Sequence, residues 1–320
     1  MHHVEIVSQL ENAHLEQLPE LLRAATLVDG HEPLGEHKFL RLKHGDDLAR
    51  AILAFEEGRL AGYGHSVTYG EGEHRRASCE FVVHPAFRQR GIGRMLLSHA
   101  IMNAHGNEAR SMDLWSYNES PAGARVADQF GFRPVRRLLH LHRHMRGAPH
   151  VSTRSDVTVR AFQPGIDEEP WLALNRSVFA THPEQAHWTL DDLRVRMYQP
   201  WFDSGDFLLA EKDGELAGFN WLKIEERPNE GRVGEIYVVG VAPQHHGQGI
   251  GSLLVAFGLR RMKERGVDVA AIYVDDSNAT AVALYEAAGF HNHHVDVCYS
   301  RELRASESAR IIAHTAVHAA

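Results

Sequence analysis

Two glycine-rich loops, within residues 83–97 and 241–254, have the residue types of an anion-binding cradle. They read VHPAFRQRGIGRMLL and VAPQHHGQGIGSLL, in each case a strand end, a turn and the start of an amphipathic helix. Glycine lets successive backbone N–H groups point outward together, and a helix N-terminus adds partial positive charge, so the loops suit a pyrophosphate. A dinucleotide site is excluded, because that would need G-x-G-x-x-G after the first strand of a domain.

The loops belong to an internal duplication. One offset of 158 residues relates Pro85 to Pro243, Gly91 to Gly249 and Phe132 to Phe290. Upstream, GRLAGYGHS from Gly58 matches GELAGFNWL from Gly214 at an offset of 156, so one small insertion or deletion separates the copies. We therefore predict an N-terminal domain over 1–147, a linker over 148–156, a C-terminal domain over 157–302 and a tail over 303–320.

Each copy shows the same order of predicted elements. A helix opens it (LPELLRAATLV, EPWLALNRSVFA), and a hairpin with a charged, glycine-containing turn follows. A buried strand then leads into the glycine loop and its helix, and a later strand precedes a helix that ends in Gly-Phe. This order predicts an α+β fold with a mixed sheet in each of two tandem domains.

Composition excludes several classes of protein. The formal net charge of -8 argues against a nucleic-acid binder, and no apolar run reaches the ~20 residues of a membrane span. The start, MHHVEIVSQLENAH, lacks the pattern of a secretory signal. Cys79 and Cys298 stand far apart in strand-like contexts, so we expect reduced, buried thiols in a cytoplasmic protein.

The 24 histidines cluster in LHLHRH, HH and HNHH. Alternation in the first cluster predicts a strand with His140, His142 and His144 on one face. No accompanying cysteine or HExxH spacing appears, so we expect solvated surface histidines and no metal. A metal site and a local pH-sensitive element remain the alternatives.

The glycine loops and a second motif together resemble the GNAT acetyltransferases. That second motif is N-x-x-A-x-x-[LF]-Y-x-x-x-G-F, here NATAVALYEAAGF at 278–290. The resemblance implies acetyl-CoA as cosubstrate. In the C-terminal copy its contacts would be Val239, Gly240, Val241, His246, Gly247, Gln248, Gly249, Ile250, Gly251, Ser252, Asn278, Ala279, Thr280, Ala281, Val282 and Ala283. A second CoA in the N-terminal copy would contact Phe81, Val82, Val83, Arg88, Gln89, Arg90, Gly91, Ile92 and Gly93.

The resemblance also distinguishes the two copies. Amine acetylation needs a base for the ammonium, donors for the oxyanion, such as the N–H groups of a strand bulge, and an acid for the departing thiolate. Glu235 and Tyr285 suit the base and the acid, whereas the same offset gives Ala77 and Ala127 in the first copy. We therefore predict a catalytic C-terminal copy and a degenerate N-terminal one. His246 stands where Arg or Gln is usual, which predicts weaker charge support for CoA.

Four further stretches are similar to the mycothiol synthase family: LVDGHEPLGE, VFATHPEQAHWT, FNWLKI and GEIYVVGV. This similarity covers residues from about 20 to about 300. It implies acetyl transfer to the cysteinyl amine of a cysteine–glucosamine–inositol pseudodisaccharide. We separately expect a monomer. The matching acceptor contacts are Glu36, Glu184, Lys223, Glu235 and Tyr273.

Two alternatives remain at this point. A tandem GNAT enzyme with another acceptor, such as an aminoglycoside or a protein N-terminus, would share both motifs. A non-catalytic CoA-binding scaffold would share the loops, but the presence of Glu235 and Tyr285 argues against it.

Overall fold

The structure is a computed structural model of the 320-residue chain and describes residues 3–31, 33–34, 48–147, 155–180, 188–227 and 230–303. Over these residues there are seven α-helices and twelve β-strands, which confirms the predicted mixed α/β architecture. The chain divides into two compact units. Unit 1 comprises Met1–Leu138 and Val295–Ala320, and unit 2 comprises Leu139–His294.

Unit 1 contains a six-stranded sheet in the order β1-β2-β3-β4-β5-β12. Its strands are β1 (His3–Val7), β2 (Ala49–Glu56), β3 (Arg59–Tyr69), β4 (Arg76–Val83), β5 (Ser111–Ser116) and the second half of β12 (His291–Glu302). Its helices are α1 (Asn12–Asp29), α2 (Ile92–Gly106) and α3 (Pro121–Gln129). Only β4 and β5 pair in parallel; the other pairs described by register in this unit are antiparallel.

Unit 2 repeats this arrangement, with the strand order β6-β11-β10-β9-β8-β7. Its strands are the second half of β6 (Arg133–His144), β7 (Thr158–Ala161), β8 (Phe207–Lys212), β9 (Glu215–Arg227), β10 (Gly231–Val241) and β11 (Val269–Asp275). Its helices are α4 (Glu168–Val178), α5 (Leu190–Met197), α6 (Ile250–Glu264) and α7 (Ala279–Ala287). Each unit therefore ends its sheet with a strand from the other half of the sequence.

Apolar side chains cover both faces of each sheet. In unit 1, α1 buries Leu18, Leu21 and Ala25 on one face, while α2 buries a stripe that includes Leu96 and Ile101 on the other. These helical spacings were readable from the sequence, and the predicted helices, hairpins and core strands are all present.

Unit 2 has an aromatic core on the α4 and α5 side of its sheet. Trp171, Phe207, Phe219 and Trp221 are fully buried there, and Phe207 stacks on Trp221 at 4.4 Å between ring centroids. Edge-to-face contacts of Trp171 with Phe207 and Phe219 complete the set. This packing holds one face of strands β9 and β10 against the core.

The cysteines, the linker and the tail were also predicted from the sequence. Cys79 and Cys298 are buried free thiols, as predicted. Of the predicted linker, only Ser155 and Asp156 lie within the described residues, and of the tail only Leu303 does. Among the helices that the structure describes, none is long and apolar enough to cross a membrane.

Candidate active site

Strand β10 carries the predicted base and a bulge directly after it. Glu235 pairs in antiparallel register with Lys223 of β9. The register then shifts between Ile236 and Val238, which makes Tyr237 the extra residue of a β-bulge. A bulge changes the direction of the local backbone N–H groups, so donors for an oxyanion can lie close to the predicted base, Glu235.

The first copy lacks this bulge, and its register corrects the predicted counterpart of Glu235. Strands β3 and β4 pair without a shift throughout their described ladder. Ser78 pairs with Val67 and Asp113, whereas Glu235 pairs with Lys223 and Ala271. Because the bulge adds one residue to β10, Ser78 stands where Glu235 does, and the predicted counterpart Ala77 is wrong. A serine hydroxyl still does not replace a carboxylate base.

Glu235 is part of a row of alternating charges. Arg227 Nη2 donates to Glu235 Oε2 at 2.9 Å, and Arg227 Nε donates to Glu225 Oε1 at 3.3 Å. Lys223 Nζ lies 3.3 Å from Glu225 Oε2 and 5.5 Å from the centroid of the Trp201 ring. The Arg227 and Glu235 side chains are only 11% and 13% exposed, so solvent screens this pair weakly, whereas Glu225 is 29% exposed.

The two central strands separate beyond Glu235. The parallel ladder of β10 and β11 ends at the pair Glu235–Ala271, and within the described strands no later pair is formed. The predicted CoA contacts at 239–241 lie past this point, where β10 keeps its partner β9 on the other side. An extended ligand with amide groups can therefore reach the edge of β10 between the strands.

The loops after β4 and β10 have the predicted cradle geometry. Gln89 and Gly91 have φ of 62° and 84°, and Gly247 and Gly249 have φ of 73° and 76°. The left-handed conformation is disfavoured for a residue with a Cβ, so the loop of unit 2 is the less strained of the two. A Cβ built on Gly247 or Gly249 meets nothing within 4 Å. Helix α6 starts here without a side-chain cap, which leaves its first amides suited to a phosphate.

His246 has the same structural role as its counterpart Arg88. Arg88 Nε donates to the carbonyl of Val83 at 3.1 Å, and His246 Nε2 donates to the carbonyl of Val241 at 2.9 Å. Each side chain ties its loop back to the strand end. The Nη1 and Nη2 atoms of Arg88 also donate to the two carboxylate oxygens of Asp29, each at 2.7 Å. The histidine therefore preserves the loop geometry that the arginine provides in unit 1.

Tyr285 lies on α7, the helix whose N-terminus the predicted CoA contacts 278–283 occupy. The Asn278 side chain caps this helix by accepting from the amide of Ala281 at 3.1 Å. Tyr285 is 5% exposed and packs edge-on against Phe290. Burial raises the pKa of Tyr285, so its hydroxyl is protonated at neutral pH. Ala127 is its true counterpart, because Phe132 and Phe290 bond back to Ala127 and Tyr285 in the same way.

The predicted acceptor contacts are only partly visible. Glu36 and Glu184 lie outside the described residues. Lys223 is 8% exposed and belongs to the charged row beside Glu235. Tyr273 on β11 is 39% exposed and stacks on His140 with ring centroids 4.1 Å apart and planes 4° from parallel.

The prediction of solvated surface histidines is wrong for two residues of unit 2. His140 is 3% exposed, and the His142 side chain is 13% exposed. His140 Nδ1 lies 3.1 Å from the ring of His294, and His142 stacks on His293 at 4.0 Å. Burial, together with the neighbouring histidines and Arg227, lowers the pKa of both, to about 3 for His142. Among the described residues no group of histidines, cysteines and acids has a metal-binding arrangement.

Comparison with known proteins agrees with this geometry. The Acetyltransferase (GNAT) family matches residues 15–132 and 171–290. The chain belongs to the GNAT acetyltransferase family. It is 41% identical over 292 residues to the mycothiol acetyltransferase of Thermomonospora curvata, covering 91% of this chain and 94% of the relative. It is 42% identical over 285 residues to that of Thermobispora bispora, covering 88% and 94%. The resemblance to both families is thus confirmed.

Solved structures show the same fold. A GCN5-related N-acetyltransferase from Sphaerobacter thermophilus matches with a TM-score of 0.69 and 24% identity over 93% of this chain and 96% of its own. A tandem GNAT protein from the clavulanic acid biosynthesis pathway matches with a TM-score of 0.69 and 18% identity over 94% and 98%. At these identities the similarity concerns the fold.

This GNAT protein is therefore an acetyl-CoA-dependent N-acetyltransferase, and the scaffold hypothesis is wrong. Sequence reasoning missed Arg227 and Tyr237 as parts of the site. The charged row was readable, because Lys223, Glu225 and Arg227 alternate along one strand. The bulge at Tyr237 carried no local sequence signal.

Proposed function

We propose that the chain transfers acetyl from acetyl-CoA to the cysteinyl amine of 1D-myo-inositol 2-(L-cysteinylamino)-2-deoxy-glucopyranoside, which yields mycothiol and CoA. The observation that carries this proposal is the identity of about 40% to enzymes named mycothiol acetyltransferase over about nine-tenths of the chain. The comparison of strands β10 and β4 adds support, because a carboxylate followed by a bulge is present in β10 and absent from the described ladder of β4.

In the proposed mechanism Glu235 accepts the proton of the cysteinyl ammonium and releases it to solvent. The neutral nitrogen attacks the thioester carbonyl, so a C–N bond forms while the oxyanion is held by backbone donors at the bulge. The C–S bond then breaks, Tyr285 protonates the CoA thiolate, and the second proton of the nitrogen replaces the one that Tyr285 gave. The hydroxyl of Tyr285 is protonated at neutral pH, so it has the proton that this step requires.

We assign the remaining predicted contacts to the ligands by their chemistry. Backbone groups at 239–241, the loop at 246–252 and the start of α7 would hold the pantetheine and the pyrophosphate. Glu36, Glu184, Lys223 and Tyr273 would contact the acceptor, whose hydroxyls suit carboxylates and an ammonium donor. The corresponding loop of unit 1, at 88–93, would hold a second CoA without chemistry.

Domain boundaries, oligomeric state and location are also part of the proposal. We infer two domains over 1–147 and 157–302 joined by the linker 148–156, acting as a monomer in the cytoplasm, where acetyl-CoA is available. Light scattering on the purified chain tests the monomer, since a mass near twice 35.9 kDa would exclude it.

The deciding experiment measures CoA-thiol release by the purified protein with acetyl-CoA and a panel of amines. The panel contains the cysteinyl pseudodisaccharide, an aminoglycoside and a peptide with a free N-terminus. We expect the pseudodisaccharide to exceed the others in kcat/KM by at least 100-fold, because buried polar groups discriminate strongly against acceptors that leave them unmatched. Activity confined to another amine would exclude the proposed acceptor while leaving the enzyme class intact.

A further inference from the structure

Arg227 forms a direct ion pair with the proposed base. Its Nη2 atom donates to Glu235 Oε2 at 2.9 Å, and both side chains are nearly nine-tenths buried. Its Nε atom is held in turn by Glu225 at 3.3 Å, which fixes the orientation of the guanidinium. A buried, oriented ion pair of this kind favours the charged form of the carboxylate far more than a surface pair does.

The duplication provides an internal comparison for this contact. The 156-residue offset and the shared register place Val67 and Tyr69 of β3 where Lys223 and Glu225 stand in β9. The same offset gives Glu71 in place of Arg227. Unit 1, which has serine in place of the base, therefore lacks the whole charged row. Both units share the fold, but the charged row is present only in the unit that has the proposed base.

The other groups around the pair define its electrostatics. On β9, Lys223 faces Glu235 across the ladder and Glu225 lies between the two cations. On the β11 side, the register partner of Glu235 is the uncharged Ala271.

Two largely buried histidines, His140 and His142, also feel the charge of Arg227. The charge of Arg227 contributes to the lowered pKa of His140 and His142, so these rings remain neutral. His142 Nε2 in turn lies 3.9 Å from Glu230 Oε2.

We propose that Arg227 is the positioning residue of Glu235, which it orients and keeps ionised so that the base acts at lower pH than it otherwise could. This inference rests on the proposed role of Glu235. It follows that loss of Arg227 affects the acid side of the pH profile selectively. A residue with only a structural role would lower the rate equally at all pH values.

The test is the pH dependence of kcat/KM for Arg227→Met and Arg227→Lys, with acetyl-CoA and the cysteinyl acceptor. A positive charge at this distance lowers the pKa of a carboxylate by about one unit or more. We therefore expect the acid limb of the pH profile of Arg227→Met to shift up by about one pH unit. At pH values below the pKa of the base, kcat/KM of this variant would be roughly tenfold lower than that of the wild type. At higher pH the two would differ little. Arg227→Lys keeps a charge and should restore most of the wild-type profile.

Two controls make the result specific. Arg76→Met breaks an ion pair of similar length in unit 1, Arg76 Nη2 to Asp113 Oδ1 at 3.0 Å, and should leave the profile unchanged. In a Glu235→Gln background, Arg227→Met should cause no further loss, because it acts through the base. Multiplicative losses, or an unshifted acid limb with a folded variant, would overturn the inference. A wild-type profile for Glu235→Gln alone would instead overturn the proposed base.

Discussion

Replacing Gly249 by alanine separates the ligand-binding role of the loop from its stability. Gly249 precedes α6 with φ of 76°, and Gly266 follows the C-terminus of the same helix with φ of 70°. A Cβ at either position meets nothing within 4 Å, so both alanine variants suffer backbone strain and no clash. Left-handed strain is about 1 kcal/mol, which lowers the Tm of a unit the size of unit 2 by roughly 2–4 °C.

Only Gly249→Ala should change the kinetics. Relief of its strain would turn the loop amides away from the pyrophosphate, and a loss of about 1.4 kcal/mol of binding raises the KM for acetyl-CoA roughly tenfold. Steady-state measurement of both variants at saturating acceptor, with melting curves, checks this. Equal KM values for Gly249→Ala and Gly266→Ala would refute the cradle, because strain alone would then explain both.

Substitutions at three other residues test separate features. Tyr237→Phe removes the hydroxyl that accepts from Arg196 Nε at 3.0 Å, so we expect about 2 kcal/mol less stability and a lower kcat with an unchanged KM for acetyl-CoA. His140→Ala should raise the acceptor KM and His140→Phe should restore it, since a phenyl ring also stacks on Tyr273. Burial raises the pKa of Asp296 from 3.8 to about 6, so its ionisation destabilises unit 1 increasingly as pH rises through that range. Asp296→Asn should therefore stabilise by up to about 3 kcal/mol at pH 8 and little at pH 4, as urea unfolding would report.

Sequence reasoning identified the duplication, the order of elements and the pair Tyr285–Ala127. These succeed because helix periodicity, strand alternation and fixed offsets are local properties of the chain. The counterpart of Glu235 was wrong for a physical reason. A bulge inserts one residue into a strand without changing its composition, so the offset measured at the glycine loop does not hold upstream of Tyr237.

The histidines illustrate a second limit. Alternation correctly predicted a strand with His140 and His142 on one face, but it does not reveal whether another element covers that face. His294 and His293, which are distant in sequence, pack against the rings of His140 and His142. His246 illustrates the converse, because its backbone tie to Val241 depends on geometry that the residue type alone does not disclose.

The double variant Glu235→Gln/Tyr285→Phe tests most directly whether unit 2 alone performs the chemistry. It leaves unit 1 unchanged and the glycine loops intact, so acetyl-CoA binding should persist by calorimetry. We predict that CoA release with the cysteinyl acceptor falls at least 1,000-fold, towards the uncatalysed rate, as expected when a base and an acid are both removed. A rate within tenfold of wild type would contradict this account and place the reaction outside the site built around Glu235.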